Sequence, residues 1–149
     1  MLERAVFAGL LAVALVIGYL WLKRGQLQRV ARHGAADPLL AGLRPGVPAI
    51  VYFTTPNCAP CRFQQKPALA KLHAELGDGG IQIIEVDAAV QPDDAKRWGV
   101  FTAPTTFILN DTGAPVTVNH GVADARKLAQ QVRDAQARRT SSNPNSQIA

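Results

Sequence analysis

The chain has only two cysteines among its 149 residues, Cys58 and Cys61, and they are separated by Ala59 and Pro60. They lie between an apolar run at residues 49–53 and a helix-like segment. A thiolate at the N-terminus of a helix is stabilised by the helix dipole and by unpaired backbone N–H groups. The first cysteine is then an activated nucleophile, and the second, one turn later, can attack a mixed disulfide. The pattern predicts thiol–disulfide exchange through Cys58 and Cys61.

Two other uses of such a pair are a zinc site and a structural crosslink. A closed zinc site needs four ligands, but the chain has no further cysteine, and its three histidines are scattered without ligand spacing. A disulfide across two residues constrains the unfolded chain very little. Redox use is therefore favoured, and no metal site is predicted.

Residues 5–22 contain no charged side chain and are almost entirely apolar. As a helix they would span about 27 Å, close to the hydrocarbon thickness of a bilayer. Trp21 lies near their end, where aromatic rings prefer the membrane interface, and Lys23 follows. A cleaved signal peptide is the alternative, but its apolar region is usually shorter and follows a basic segment. We therefore predict an uncleaved transmembrane anchor over residues 1–22, with residues 5–22 in the membrane.

The net charge of +5 is unevenly distributed. Residues 23–46 carry five Lys/Arg and one acid, whereas residues 45–137 carry eight Lys/Arg and nine Asp/Glu. A basic protein invites a nucleic-acid hypothesis, but here the positive charge lies beside the apolar run, where it suits contact with anionic lipid. The distribution predicts a basic linker at residues 23–46 and no nucleic-acid partner.

The folded domain is predicted over residues 47–137, and a polar, disordered tail over residues 138–149. Apolar runs rich in β-branched residues predict strands, and apolar residues at helical spacing predict helices. In chain order we expect a buried strand at 49–53, a helix at 62–76 kinked at Pro67 and stopped at Gly77, a buried strand at 81–86, a short helix at 92–98, strands at 105–109 and 115–119, and a last helix at 123–137. This order is typical of an α/β domain.

Residues 48–132 resemble a thioredoxin domain. The resemblance rests on CAPC after an apolar strand and on the run WGVFTAPT at residues 98–105, which is similar to the segment around the family's cis-proline. It implies a thioredoxin-like fold with a central mixed sheet of four strands, five being the alternative, flanked by helices. It also implies no cofactor beyond the redox-active Cys58–Cys61 disulfide.

By the same resemblance Pro104 is a cis-proline packed against the catalytic cysteines. A cis X–Pro bond costs only about 0.5–1 kcal/mol and proline has no N–H group, so this loop can approach the sulfurs closely. The residues implied to bind the substrate chain or to support the cysteines are Asn57, Pro60, Ala103 and Pro104.

Two polar residues that the family places behind its cysteines are missing. Tyr52 stands at the position of a buried aspartate, and the accompanying lysine falls near Ile83. Glu85, two residues further on and on the same strand face, is a candidate proton acceptor for Cys61. The alternative is that Glu85 is a strand-end carboxylate that reaches solvent.

These observations predict a membrane-tethered oxidoreductase that reduces protein disulfides with electrons from an unidentified donor. Two alternatives stay open, extracytoplasmic thiol–disulfide exchange in cofactor or metal-site assembly, and copper binding. Copper would require a histidine near the pair, and the nearest candidate, His120, has no reason to reach the sulfurs. Lys and Arg are concentrated on the C-terminal side of the anchor, which favours a cytoplasmic over an extracytoplasmic domain.

Overall fold

The computed structural model describes residues 2–33 and 37–142. In chain order the elements are helix α1 (Leu2–His33), a 3-10 turn (Pro38–Leu40), β1 (Ala49–Thr54), a π-helical turn (Cys61–Gln65), α2 (Lys66–Gly80), β2 (Gln82–Asp87), α3 (Pro92–Arg97), β3 (Thr105–Leu109), β4 (Pro115–His120) and α4 (Ala125–Ser142). The predicted order of strands and helices is confirmed.

The four strands of the described chain form one mixed sheet in the order β2-β1-β3-β4. β1 is parallel to β2 and antiparallel to β3, and β3 is antiparallel to β4. β1 is buried at every position, as its continuous apolar run predicted. The prediction of a second buried strand was wrong, because β2 lies at the sheet edge, where most of its residues are only half-buried.

Alternating side chains build one core on each face of the sheet. On one face, Ile50 and Tyr52 of β1 belong to a core with Cys58 and Cys61 that also takes in α2 and α4. On the other face, β1 packs against Trp98 and the 3-10 turn. The cysteines therefore belong to the core of the domain and are not placed on a surface loop.

Several boundaries differ from the prediction. The irregularity expected around Pro67 is a π-helical turn just before it, and Pro67 lies in the first turn of α2. Proline is tolerated there because the first N–H groups of a helix have no partner within the helix. Gly77 has a positive φ of 68° and interrupts α2 at the predicted stop, although helical turns continue to Gly80.

The last helix is longer than predicted. α4 continues to Ser142, so the predicted start of a disordered tail at residue 138 is wrong, and residues 143–149 lie outside the described chain. α1 likewise continues past the apolar run to His33, so the first part of the predicted linker is helical.

A buried aspartate fastens the linker to the domain. Asp37 is 3% exposed and accepts hydrogen bonds from Arg97 Nε at 3.0 Å, Trp98 Nε1 at 2.9 Å and the backbone N–H of Leu39 at 3.0 Å. Burial alone would raise the pKa of Asp37, but the hydrogen bonds and the charge of Arg97 outweigh it and lower the pKa below 3.8. The linker is thus partly built into the fold.

We expect Asp37→Asn to lower the free energy of unfolding by about 2 kcal/mol at neutral pH, because Arg97 keeps Asp94 but loses the charge of its buried partner. A carboxylate with a lowered folded-state pKa stabilises the fold above its ordinary pKa of 3.8, and this contribution is lost as the pH falls through the folded-state value. The difference between the variant and the unaltered chain should therefore shrink in acid. Chemical denaturation of both proteins at neutral and acid pH measures this difference. Glu75→Gln, at an exposed position of α2, is the control, and an equal loss in both variants would contradict the prediction.

Candidate active site

The cysteines lie where the C-terminal end of β1 turns into a helix. The N–H of Cys58 donates to the carbonyl of Thr55 at 3.2 Å, and the N–H of Arg62 donates to the carbonyl of Cys58 at 3.2 Å. The N–H of Cys61 donates to Cys58 Sγ at 3.2 Å. A sulfur that accepts such a bond at the start of a helix is well placed to carry negative charge after reduction.

Cys58 and Cys61 form a disulfide. Cys61 is completely buried, whereas Cys58 is 8% exposed and is flanked on the surface by Asn57 and Pro60. Of the two cysteines, only Cys58 is accessible to solvent. This difference fits the predicted roles of Cys58 as nucleophile and Cys61 as resolving cysteine, and the assignment stays a prediction.

The loop before β3 is fixed beside the cysteines. The Ala103–Pro104 peptide bond is cis, and half-buried Ala103 packs against the core that contains both cysteines. The carbonyl of Pro104 accepts a hydrogen bond from the N–H of Gly121 at 2.8 Å, and Thr105 Oγ1 donates to the carbonyl of Thr102 at 2.7 Å. The roles of Ala103 and Pro104 in binding substrate stay predictions.

Gln65 is a positioning residue that the sequence analysis missed. It is completely buried at the end of the π-helical turn. Its Nε2 donates to the carbonyl of Ala123 at 3.1 Å, and its Oε1 accepts from the N–H of the same residue at 2.8 Å. The π-helical turn and α2 together form one helical segment that begins at Cys61, which we call the cysteine helix. These two bonds hold the cysteine helix against the segment before α4. The sequence gives little signal for this, because a glutamine within a helical pattern usually faces solvent.

The group behind the cysteines is a phenol. Tyr52 is completely buried, and its hydroxyl has no hydrogen-bond partner of normal geometry in the described chain. Burial raises the pKa of the Tyr52 phenol, the side chain of Thr54 works against this shift, and the charge of Glu85 adds to it. Glu85 itself is half exposed and forms an ion pair with Lys66 at 2.8 Å. Its predicted role as proton acceptor for Cys61 stays a prediction.

Within residues 2–33 and 37–142, no group of three His, Cys, Asp or Glu side chains is arranged to hold a metal ion. His120 is exposed at the end of β4 and faces α1 across a cleft. Burial against this cleft, and then the charge of Lys23, lower the pKa of His120. Its imidazole is therefore neutral at neutral pH.

Helix α1 contains the candidate membrane span. The stretch Val6–Gln28 is long and apolar enough to cross a bilayer, and none of its most apolar window is buried against the rest of the chain. Length and composition of this kind also fit a signal sequence.

Comparisons with known proteins agree with this geometry. The family model described as Thioredoxin matches residues 43–134. Thioredoxin Y1, chloroplastic, of Arabidopsis thaliana is 31% identical over 88 residues, which are 59% of this chain and 49% of that protein. The thioredoxin of Mycolicibacterium smegmatis is 33% identical over 89 residues, 59% of this chain and 78% of that protein. The chain thus spans about half of the length of the first relative.

The fold is also similar to that of a solved structure. Mitochondrial thioredoxin 3 from Saccharomyces cerevisiae, in its oxidized form, superposes with a TM-score of 0.52 at 25% identity. The match covers 61% of this chain and 80% of that one.

We expect Gln65→Leu to increase the alkylation rate of Cys61 in the reduced protein, because the cysteine helix is no longer held against Ala123. Leaving the buried N–H and carbonyl of Ala123 unpaired should also cost about 2 kcal/mol of stability. Mass spectrometry of iodoacetamide-treated chain measures the rate. The matched control is Gln131→Leu, which breaks a reciprocal amide pair with Asn119. If both variants expose Cys61 equally, Gln65 has no specific positioning role.

Proposed function

Because the chain belongs to the thioredoxin family, we propose that it is a membrane-tethered thiol–disulfide oxidoreductase that reduces disulfides in protein substrates. The observation that carries this proposal is the hydrogen bond from the N–H of Cys61 to Cys58 Sγ at the start of a helix. This hydrogen bond stabilises negative charge on the sulfur of Cys58, the more exposed cysteine. The sulfur of Cys61 lies in the core one turn away.

The reaction begins with the reduced pair. The Cys58 thiolate attacks one sulfur of the substrate disulfide, the substrate S–S bond breaks, and its other sulfur leaves as a thiolate. Cys61 then loses its proton and attacks Cys58 Sγ, which breaks the mixed disulfide and releases the second substrate thiolate. The Cys58–Cys61 disulfide forms, two electrons pass to the substrate, and a dithiol donor must reduce the pair before the next cycle.

The substrate chain would bind across the surface around Cys58. Asn57 and Pro60 are exposed, and half-buried Ala103 packs against the core that contains Cys58. Cys61 lies below this surface and is completely buried, so a bulky disulfide can meet only Cys58. This arrangement separates attack from resolution.

Cysteine variants test the proposal. Cys61→Ser should trap mixed disulfides with substrate proteins, because the resolving sulfur is missing, whereas Cys58→Ser should trap none. Non-reducing electrophoresis followed by mass spectrometry measures the trapped complexes. Trapping by Cys58→Ser alone, or by neither variant, would overturn the assignment of roles.

The tether is part of the proposal. The length and apolar character of Val6–Gln28 support a membrane span. We take the span as uncleaved because the apolar region of a signal peptide is usually shorter. The segment after the uncharged residues 5–22 offers Lys23, Arg24, Arg29 and Arg32, against Arg4 before them. Because short flanks rich in Lys and Arg stay in the cytoplasm, we place the domain on the cytoplasmic side. In that reducing compartment the pair rests as a dithiol and acts as a reductase.

Labelling of intact cells tests the side. After mild reduction, a membrane-impermeant maleimide should label Cys58 only once the cells are lysed. Cys58→Ser gives the background, and a maleimide that crosses membranes confirms that the thiol is reactive. Labelling without lysis would overturn the cytoplasmic placement and favour a role in extracytoplasmic thiol–disulfide exchange.

A further inference from the structure

An apolar cleft separates α1 from the edge of the folded domain. Its volume is about 610 Å³. One wall is the part of α1 from Gly18 to Gln26, which begins within the apolar run and ends beyond it, and the other is formed by Gly99, Phe101 and His120. Neither cysteine lines it, and nothing in the reaction described above uses it.

The cleft has fixed walls, because α1 is hydrogen-bonded to the domain at one end. Gln26 Nε2 donates to the carbonyl of Trp98 at 3.1 Å and to the carbonyl of Gly99 at 2.7 Å. Gly99 has a positive φ of 64°, and a Cβ there would lie 3.5 Å from Gln26 Cγ, so the helix approaches the loop closely. The domain therefore stays near the end of the apolar run.

The cleft is longer than one headgroup layer of a bilayer is thick. From Gly18 to Gln26 it extends about 12 Å along the helix axis, which exceeds the thickness of one headgroup layer, about 5–7 Å. If residues 5–22 lie in hydrocarbon, one end of the cleft lies in the membrane and the other at its surface. The loop wall that carries Phe101 is bonded to α1 at Gln26, the end at the surface, and then lies at the membrane interface.

The exposed side chains suit lipid. Phe101 is 91% exposed and Trp21 is 76% exposed, and aromatic rings prefer the membrane interface. Lys23 lines the cleft, and Arg24 follows it. These cations complement the phosphate of an anionic lipid, whereas the rest of the domain is slightly acidic.

We infer that the cleft and Phe101 form a membrane-docking surface that takes anionic phospholipid, an inference that rests on the proposed membrane anchor. Phe101 precedes Ala103 and Pro104 by two and three residues in one loop. Phe101 also lines a shallow groove with Thr55 and Ala103, so docking brings the loop beside the cysteines close to the bilayer. The substrates that this geometry selects are disulfides in membrane proteins or in chains bound at the membrane surface.

Fluorescence quenching tests the contact. The full chain is placed in vesicles of phosphatidylcholine and phosphatidylglycerol with bromine on their acyl chains. In a Trp21→Phe background the one remaining tryptophan is the buried Trp98. Adding Phe101→Trp should then add emission that the brominated lipid quenches strongly. Val90→Trp is the matched control, because Val90 is 74% exposed and does not line the cleft. Its added emission should be hardly quenched.

The outcomes separate the docking surface from the anchor. Quenching of Trp21 in the unaltered chain reports the anchor, and its absence would overturn both proposals. If Trp21 is quenched but Phe101→Trp is quenched no more than Val90→Trp, the anchor stands and the docking surface falls. A cleft that receives the helix of another protein would give this second result, because the vesicles hold no other protein. Equal quenching in phosphatidylcholine alone would overturn the preference for anionic lipid.

A functional readout is independent of fluorescence. Phe101→Asp should reduce a disulfide-bonded peptide carrying a lipid anchor about tenfold more slowly, because the docked state loses the transfer of an aromatic ring into lipid. The same peptide without the lipid should be reduced at an unchanged rate. Equal loss with both peptides would show a general defect at the cysteines and contradict the inference.

Discussion

The buried carboxylate of Asp37 joins parts of the chain that are far apart in sequence. It accepts hydrogen bonds from Leu39 in the linker and from Arg97 and Trp98 at the end of α3. The indole of Trp98 packs edge-on against Phe107 of β3, with the ring centroids 5.0 Å apart. The backbone carbonyl of Trp98 accepts from Gln26 of α1. The buried carboxylate of Asp37 therefore holds Trp98, the residue that α1, the linker and the sheet all contact. Removing one partner of this buried charge would lower the stability of the fold.

The site depends on two further links between distant segments. The amide of Gln65 joins the cysteine helix to Ala123, and the carbonyl of Pro104 accepts from Gly121. Both links end on the short connection between β4 and α4. That connection therefore holds the helix with the cysteines and the loop with the cis-proline in one frame. Thiol–disulfide exchange is favoured by such a frame, because the reacting groups of the protein are already oriented before the reaction.

The parts that sequence predicted best use residues with few alternative roles. A cysteine pair after a buried strand, and a proline in a run similar to the family's cis-proline segment, identified the fold and the loop beside the cysteines. Tertiary context decided the rest. The burial of β2 depended on its being an edge strand, and Asp37 is buried only because Arg97 and Trp98 reach it from residues about 60 positions away. Short-range patterns contain no information on either.

Under the proposed membrane anchor, the packing of the linker would decide how far the domain can reach for its substrate. A flexible linker would let the domain sample a wide volume at a correspondingly low effective concentration. Here Leu27, Leu39 and Leu43 pack against the core on the Trp98 face of the sheet, and Gln26 and Asp37 bond to the same end of α3. These contacts hold the described residues of the linker against the domain. With the proposed membrane anchor, a domain held in this way would gain local concentration for targets at the membrane and lose reach for soluble ones. Under that proposal, the packing of the linker would itself be a determinant of specificity.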